Sequence, residues 1–361
     1  MPKRARVLHL LPLDLARGAQ TYARALRESL DSSSVEHLTI ALFEAEPSLL
    51  KPDVRLSAPN GLGRRIGLSP TALLTLRKAL KGLKPDVVIA HGGESLKYAA
   101  LVLPSGTKLV YHKVGTAAEL LRNPLRRAFH RAIAHRADLV AGISREMAEE
   151  AVSLNHSAKD RTVCIPNGRD PHAYRHLANP GSSSPVRFIF VGHLTRTKRP
   201  EWFVQAIEEL DRRAIDVRGT VVGDGPLMAD LREGAPQRVR FLGSRDDVPR
   251  LLAQADVFLF TSMPEGEGLP GVLIEAGMAG LPIIATEVSG ADTVVEDGVT
   301  GFVVPIDNFT LFVEKAEALA RNPRLRSDMG AAARQRCTTH FTLSASVDAW
   351  RRELDKLIPI G

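Results

Sequence analysis

The chain has 361 residues, 44% hydrophobic and 25% charged, with a formal net charge of +7. That length is too great for one ordinary core and suits two domains, and the composition excludes a disordered or fibrous chain. Cys164 and Cys337 are the only cysteines, which excludes a disulfide framework or a cysteine-rich zinc site and suits a reducing cytoplasm. No apolar run reaches the roughly eighteen residues of a membrane span. Residues 1–170 hold 26 Lys and Arg against 16 Asp and Glu, and the remainder holds 22 against 25. A basic first half either faces an anionic partner or is a solvated face.

The N-terminus is basic, but Asp14 and Arg17 interrupt the apolar stretch behind it, so that stretch reads as a buried strand rather than a signal peptide. Strands are expected at 7–11, 37–42, 87–90, 108–112 and 139–143, with amphipathic helices at 21–30, 70–83 and 124–136. This alternation predicts a parallel sheet covered by helices on both faces. Ile165-Pro166-Asn167-Gly168 ends a strand, and the small polar and turn-forming residues of 179–185 precede the next, which marks a linker. The rhythm then repeats, with strands at 187–191, 219–222, 239–242, 257–261 and 283–286. The expected division is 1–170, 171–342 and a helical tail, 343–361, with Trp350 on one face, packing near the junction and crossing back toward the first domain. Two open α/β domains follow, each able to bind ligands at the carboxyl ends of its strands.

Glu267 and Glu275 stand eight positions apart, separated by Gly268-Leu269-Pro270-Gly271 and an apolar run. A helix beginning at Val272 places Glu275 in its first turn, where unpaired N–H groups suit a phosphate and a carboxylate stays ionised to accept ribose hydroxyls. Glu267, on the loop in front, faces what hangs beyond that phosphate. Lys198 follows the 187–191 strand and precedes a helix, where it can pair with a phosphate or be merely solvated. Gly223-Asp224-Gly225 lacks the third glycine of a dinucleotide fingerprint, since Met228 stands there, and reads as a tight turn. Gly243 ends another strand and either presents backbone groups to a base or is plain loop. In the first half, Gly18 precedes a helix, and His91 and His112 end strands at the ligand-binding edge, with Lys113 beside His112.

Together these elements resemble the retaining glycosyltransferases of family 4. The resemblance rests on Glu-x7-Glu at Glu267 and Glu275, Val-Gly-x-Leu-x3-Lys at 191–198, Gly-Asp-Gly-Pro at 223–226, Phe-Leu-Gly at 241–243, Ala-Asp-Val-Phe-Leu at 255–259 and Asp-Gly-x-x-Gly-Phe at 297–302. Ala137-Asp138-Leu139-Val140 with Ser144, and Ile165-Pro166-Asn167-Gly168, match the approach to the linker. The resemblance implies a GT-B fold, two facing Rossmann-like doubly wound domains with a cleft between them. It implies transfer of a sugar from a nucleotide-diphosphate donor, a UDP-sugar or GDP-sugar, to a glycan, lipid-linked or small-molecule acceptor, with the anomeric configuration kept and no metal or other cofactor. By that resemblance Glu275 binds the donor ribose and Glu267 contacts the transferred sugar. Gly268, Leu269, Pro270 and Gly271 line the sugar–phosphate junction, Lys198 neutralises the leaving diphosphate, and Gly18 lets a loop close over it. His112 corresponds to a histidine near the reacting sugar, and His91 and Lys113 are assigned to the acceptor. One departure stands out. His193 occupies a position where the family has Arg, replacing a permanently charged bidentate donor by a group titrating near neutrality. Arg196 and Arg199 are candidates to compensate.

A hydrolase is disfavoured because its two carboxylates must flank the scissile bond, and this pair shares one loop–helix unit. A GT-B sugar-nucleotide epimerase is an alternative. A nucleic-acid module is disfavoured by the 5% aromatic content. Arg122, Arg126, Arg127, His130, Arg131, His135 and Arg136 crowd one helix with Leu121, Leu125, Phe129 and Ile133. Such a helix either docks on an anionic membrane, making the protein cytoplasmic and peripheral, or packs its stripe on its own core.

Overall fold

A computed structural model of the chain describes residues 4–13, 18–43, 52–56, 67–116, 123–154, 156–174, 184–265 and 267–358. Two compact units make up the chain: residues 1–167 with 345–361, and residues 168–344.

The first unit holds a parallel sheet of β1 (Ala5–Leu13), β2 (Val35–Phe43), β3 (Val54–Arg55), β4 (Val87–His91), β5 (Lys108–Lys113), β6 (Leu139–Gly142) and β7 (Thr162–Cys164), in the order β3-β2-β1-β4-β5-β6-β7. The strand β3, two residues long, escaped the sequence reading, whereas the three-residue β7 is the strand that Ile165-Pro166-Asn167-Gly168 was expected to end. Their neighbours set their pairing, since so short a run shows no alternation of its own. The order reverses between β1 and β4, so the crevice of a doubly wound sheet falls at the carboxyl ends of those strands. One sheet face carries the core, with Leu8, Leu10, Ile40, Leu42, Val88 and Ala90 packed against helices that include Pro70–Leu83 and Gly92–Val102.

Capping explains where these helices begin. The Ser69 hydroxyl accepts from the Ala72 N–H, and Pro70 fills the first helical position, where no N–H is needed. Asn123 and Pro124 do the same for the helix Pro124–His135. The C-terminal helix Leu343–Leu357 buries Trp350, whose indole N–H donates to the Tyr22 hydroxyl, and the Ser346 hydroxyl donates to the Pro166 carbonyl. The tail from Ala345 therefore belongs to the first unit.

The second unit holds β8 (Val186–Val191), β9 (Val217–Val222), β10 (Val239–Phe241), β11 (Val257–Phe260), β12 (Ile283–Thr286) and β13 (Gly301–Val304), all parallel, in the order β10-β9-β8-β11-β12-β13. Here the reversal lies between β8 and β11. Its core gathers Phe188, Phe203, Ile207, Val221, Leu259 and Phe312. Among the described residues no helix is long and apolar enough to cross a membrane.

Candidate active site

Where the sheet order reverses, the connections that follow the two flanking strands leave toward opposite faces, and the loops at those strand ends border one crevice however far apart they lie in sequence. In the second unit the loop after β8 carries Lys198 and the loop after β11 carries Glu267. The two loops are tied by the Met263 N–H donating to the Thr197 carbonyl at 2.7 Å and the Thr261 hydroxyl donating to the Lys198 carbonyl at 2.8 Å. These bonds place the Lys198 ammonium against the Glu267 carboxylate as an ion pair. Glu267 is 6% exposed, so its charge is withdrawn from bulk water and depends on that cation.

The helix behind the loop spans Gly271–Met278, one residue earlier than the sequence reading had it. Glu275 is consequently its fifth residue and lies beyond the first turn, so the electrostatic argument from the helix start is weaker for its carboxylate. A specific cation replaces it, because the Arg169 Nε donates to Glu275 Oε1 at 2.8 Å. Arg169 is held in turn by its backbone, whose N–H donates to the Phe341 carbonyl and whose carbonyl accepts from the Leu343 N–H. A Cβ on Gly271 would fall 2.0 Å from the Arg169 guanidinium, so glycine there lets the cation lie across the helix start. Nothing in the Arg169 neighbourhood of the sequence pointed to this pairing, which spans 106 positions. Tyr174 lies close by, its hydroxyl pushed well above its usual range by burial and then by the Glu275 carboxylate.

Gly268, Leu269 and Pro270 are buried. The loop rests on Gly290, which has φ +74°, and a Cβ there would meet the Gly268 carbonyl oxygen at 2.4 Å and the Leu269 Cα at 2.9 Å. Gly290→Ala is therefore expected to displace the loop that follows Glu267 and to lower Tm, read by calorimetry. An unchanged Tm would show that the loop yields without cost. Gly243 accepts the Gly223 N–H through its carbonyl at 2.8 Å, and His193 is exposed at the carboxyl end of β8. An open cavity of about 460 Å³ lies beside the Lys198 turn, lined by Arg196, Arg199, Glu201, Leu227, Asp230, Leu231 and Met263. Its size suits a small ligand, but Glu267 and Glu275 are not among its lining residues. Of the two arginines expected to stand in for an arginine at 193, Arg196 is exposed. Arg199 is 8% exposed, stacked 4.0 Å over Trp202 and donating to the Ile306 carbonyl.

In the first unit, Gly18 opens the helix Gly18–Leu30 after β1. His91 and His112 pair across β4 and β5, and both are buried. Burial pushes the His112 imidazole down to about 3, opposed by a contact with Asn167. Lys113, assigned to an acceptor on sequence, is fully buried, its ammonium 2.5 Å from the Glu150 carboxylate and donating to the Gly115 carbonyl at 2.8 Å. Its charge is thus met inside the unit. On the basic helix, Leu125 is 80% exposed and Phe129 44%, whereas His130, Ile133 and Ala134 are buried. The apolar stripe therefore divides, its first half turned outward and its second half on the core. Leu121 and Arg122 lie outside the described residues.

Residues 185–322 match the family described as Glycosyl transferases group 1, and residues 17–168 match the Glycosyl transferase 4-like domain. Alpha-D-kanosaminyltransferase of Streptomyces kanamyceticus is 30% identical over 167 residues, covering 44% of this chain and 43% of that relative, so the match spans less than half of the relative's length. D-inositol 3-phosphate glycosyltransferase of Pseudarthrobacter chlorophenolicus is 28% identical, covering 98% of this chain and 96% of that one. Anabaena HepE, solved in complex with UDP-glucose, superposes with a TM-score of 0.77 at 19% identity, over 97% of this chain and 99% of that one. The two doubly wound units are those of the GT-B fold.

Proposed function

We propose that this chain is a retaining glycosyltransferase that takes a sugar from a nucleoside-diphosphate donor, a UDP-sugar or GDP-sugar, and passes it to a glycan, lipid-linked or small-molecule acceptor. The observation that carries the reading is the Lys198–Glu267 pair at the point of strand reversal, with Glu275 on the helix just behind it. When the bond from the anomeric carbon to the diphosphate oxygen breaks, negative charge grows on the phosphate. A lysine already held in place stabilises it without reorganisation. Lys198 exchanges the Glu267 carboxylate for the diphosphate, leaving Glu267 to the sugar hydroxyls, and Glu275 accepts the ribose hydroxyls. The reading assigns charge stabilisation to Lys198 rather than to a metal, and gives the first unit the acceptor. The two family matches and the UDP-glucose complex of HepE support the donor class.

A thermal-shift screen of UDP-, GDP- and ADP-sugars tests it, because a ligand that binds only the native state raises Tm. One nucleotide class raising Tm is the expected result, and no shift with any of them would overturn the reading. His193→Arg is expected to keep or raise donor affinity by supplying a permanent bidentate cation; a clear loss in titration would show that the phosphate lies elsewhere.

The outward Leu125 and Phe129, with Arg126 and Arg127 between them, suit a peripheral contact with an anionic membrane. Cosedimentation with anionic vesicles is expected, lost in Leu125→Ser/Phe129→Ser. Equal binding by that variant would remove the helix from the interaction.

A further inference from the structure

Two ion pairs stand at the two ends of the buried loop 268–270. Before it, Glu267 meets the Lys198 ammonium; after it, Glu275 accepts from the Arg169 Nε at 2.8 Å. All four residues belong to the second unit. The Arg169 and Glu275 side chains are 17% and 20% exposed, so a ligand can reach both.

The Arg169 guanidinium carries five N–H groups in a planar fork. Nε gives its one to Glu275 Oε1, and Nη1 gives one to the Gly168 carbonyl at 3.3 Å. Nη2 has no partner among the described residues, and neither has Glu275 Oε2. Nη2 lies in the space that a side chain on Gly271 would fill, so the free end of the fork rests over the residue that closes the loop. The Arg169 backbone is tied on both sides, donating to the Phe341 carbonyl at 2.9 Å and accepting from the Leu343 N–H at 2.8 Å. With backbone and fork both bonded, little conformational freedom remains to be lost when a ligand arrives.

A nucleoside-diphosphate sugar has the same order as these groups. It runs from the transferred sugar through the β-phosphate and the α-phosphate to the ribose, with one ionised oxygen on each phosphorus. The transferase reading, on which this step rests, gives the sugar to Glu267 and the ribose to Glu275. Two phosphates then fall between two carboxylates that already hold two cations. Lys198, on the sugar's carboxylate, is beside the phosphate that bears the sugar. Arg169, on the ribose's carboxylate, is beside the phosphate that bears the ribose.

We propose that Arg169 binds the α-phosphate of the donor through Nη2 while its Nε holds Glu275 for the ribose hydroxyls. Glu275 Oε1 stays on Arg169, and Oε2 accepts from the ribose. One planar side chain thereby joins the recognition of a ribose to that of its phosphate, which the point charge of a lysine does not do. The bond that breaks in transfer is on the β-phosphate oxygen, so the α-phosphate keeps its charge throughout. Arg169 therefore binds the ground state and the transition state alike and strengthens donor binding, whereas Lys198 meets the charge that grows.

The test is 31P NMR of a nucleoside diphosphate bound to the full chain, with UDP, GDP and ADP as probes. For a probe that binds, Arg169→Gln is expected to move the α-phosphorus resonance and to leave the β-phosphorus in place. Lys198→Ala is expected to do the reverse. In calorimetric titration Arg169→Gln is expected to lower affinity about 10- to 100-fold, the worth of one hydrogen bond between charged groups. Arg169→Lys, which keeps the charge and loses the fork, gives the same α-phosphorus shift should the Gln variant not fold. Unchanged affinity overturns the assignment. So does lowered affinity with the α-phosphorus unmoved, because Arg169 then acts only by holding Glu275, and so does a shift confined to the β-phosphorus. If none of the three probes binds the wild type, the transferase reading falls and the assignment falls with it.

Discussion

Lys198→Ala is expected to lower turnover about 100- to 1,000-fold, the range seen when one preorganised stabiliser of developing charge is removed. Lys198 also faces Glu267, so the same substitution leaves a carboxylate that is 6% exposed without its cation. The cost to stability is about 1–3 kcal/mol, because Lys198 itself is partly open to solvent and the pair is screened to that extent. The two consequences separate in the double variant Lys198→Ala/Glu267→Gln. Its buried charge is gone, so Tm returns toward the wild-type value, while turnover stays low because neither the cation for the leaving diphosphate nor the Glu267 carboxylate remains. Recovery of turnover together with Tm would show that Lys198 serves only the fold. Glu267→Ala is expected to reduce kcat with little change in donor Kd, and Glu275→Ala to weaken donor binding first. Near-native turnover in both would remove the carboxylates from the site.

The second large effect is acid sensitivity of the first unit. Burial is the leading cause that pushes His37 down to about 4 and His112 down to about 3, and it drives His9 and His91 well below their usual value. In the unfolded chain each of these groups takes up its proton near pH 6.5. Below that pH the unfolded state binds protons that the folded state refuses, so the stability is present above 6.5 and is lost as pH falls toward the folded values. Each histidine contributes a loss of roughly 1.4 kcal/mol per pH unit, or about 3 kcal/mol for His37 and His112 together at pH 5.5. His9 and His91 add in the same direction. The chain has two tryptophans, Trp202 in the second unit and Trp350 in the first. In a Trp202→Phe background, Trp350 fluorescence reports the first unit alone. Its urea midpoint is expected to fall steeply between pH 7.5 and 5.5, whereas a flat midpoint would mean that these rings are charged or solvated in the folded state.

The amino-acid sequence determined the alternation of strands and helices, because both report on a local period and on local punctuation. Ser69-Pro70 and Asn123-Pro124 placed helix starts through residues adjacent in the chain. Gly268-Leu269-Pro270-Gly271 and the two flanking glutamates were legible for the same reason, since a loop that precedes a buried helix is a local pattern. The family resemblance drew on runs of this kind and led to the fold. Partners distant in sequence were decided only by the tertiary structure. Strand order sets Lys198 against Glu267, and Arg169 reaches Glu275 through backbone bonds to the far end of the unit. His9 and His37, which the sequence did not mark, join His91 and His112 in a continuous row because β2, β1, β4 and β5 lie side by side in that register. Local free-energy preferences select each element, but which side chains share a desolvated space depends on how those elements are ordered in the sheet, and no window of neighbouring residues encodes that order.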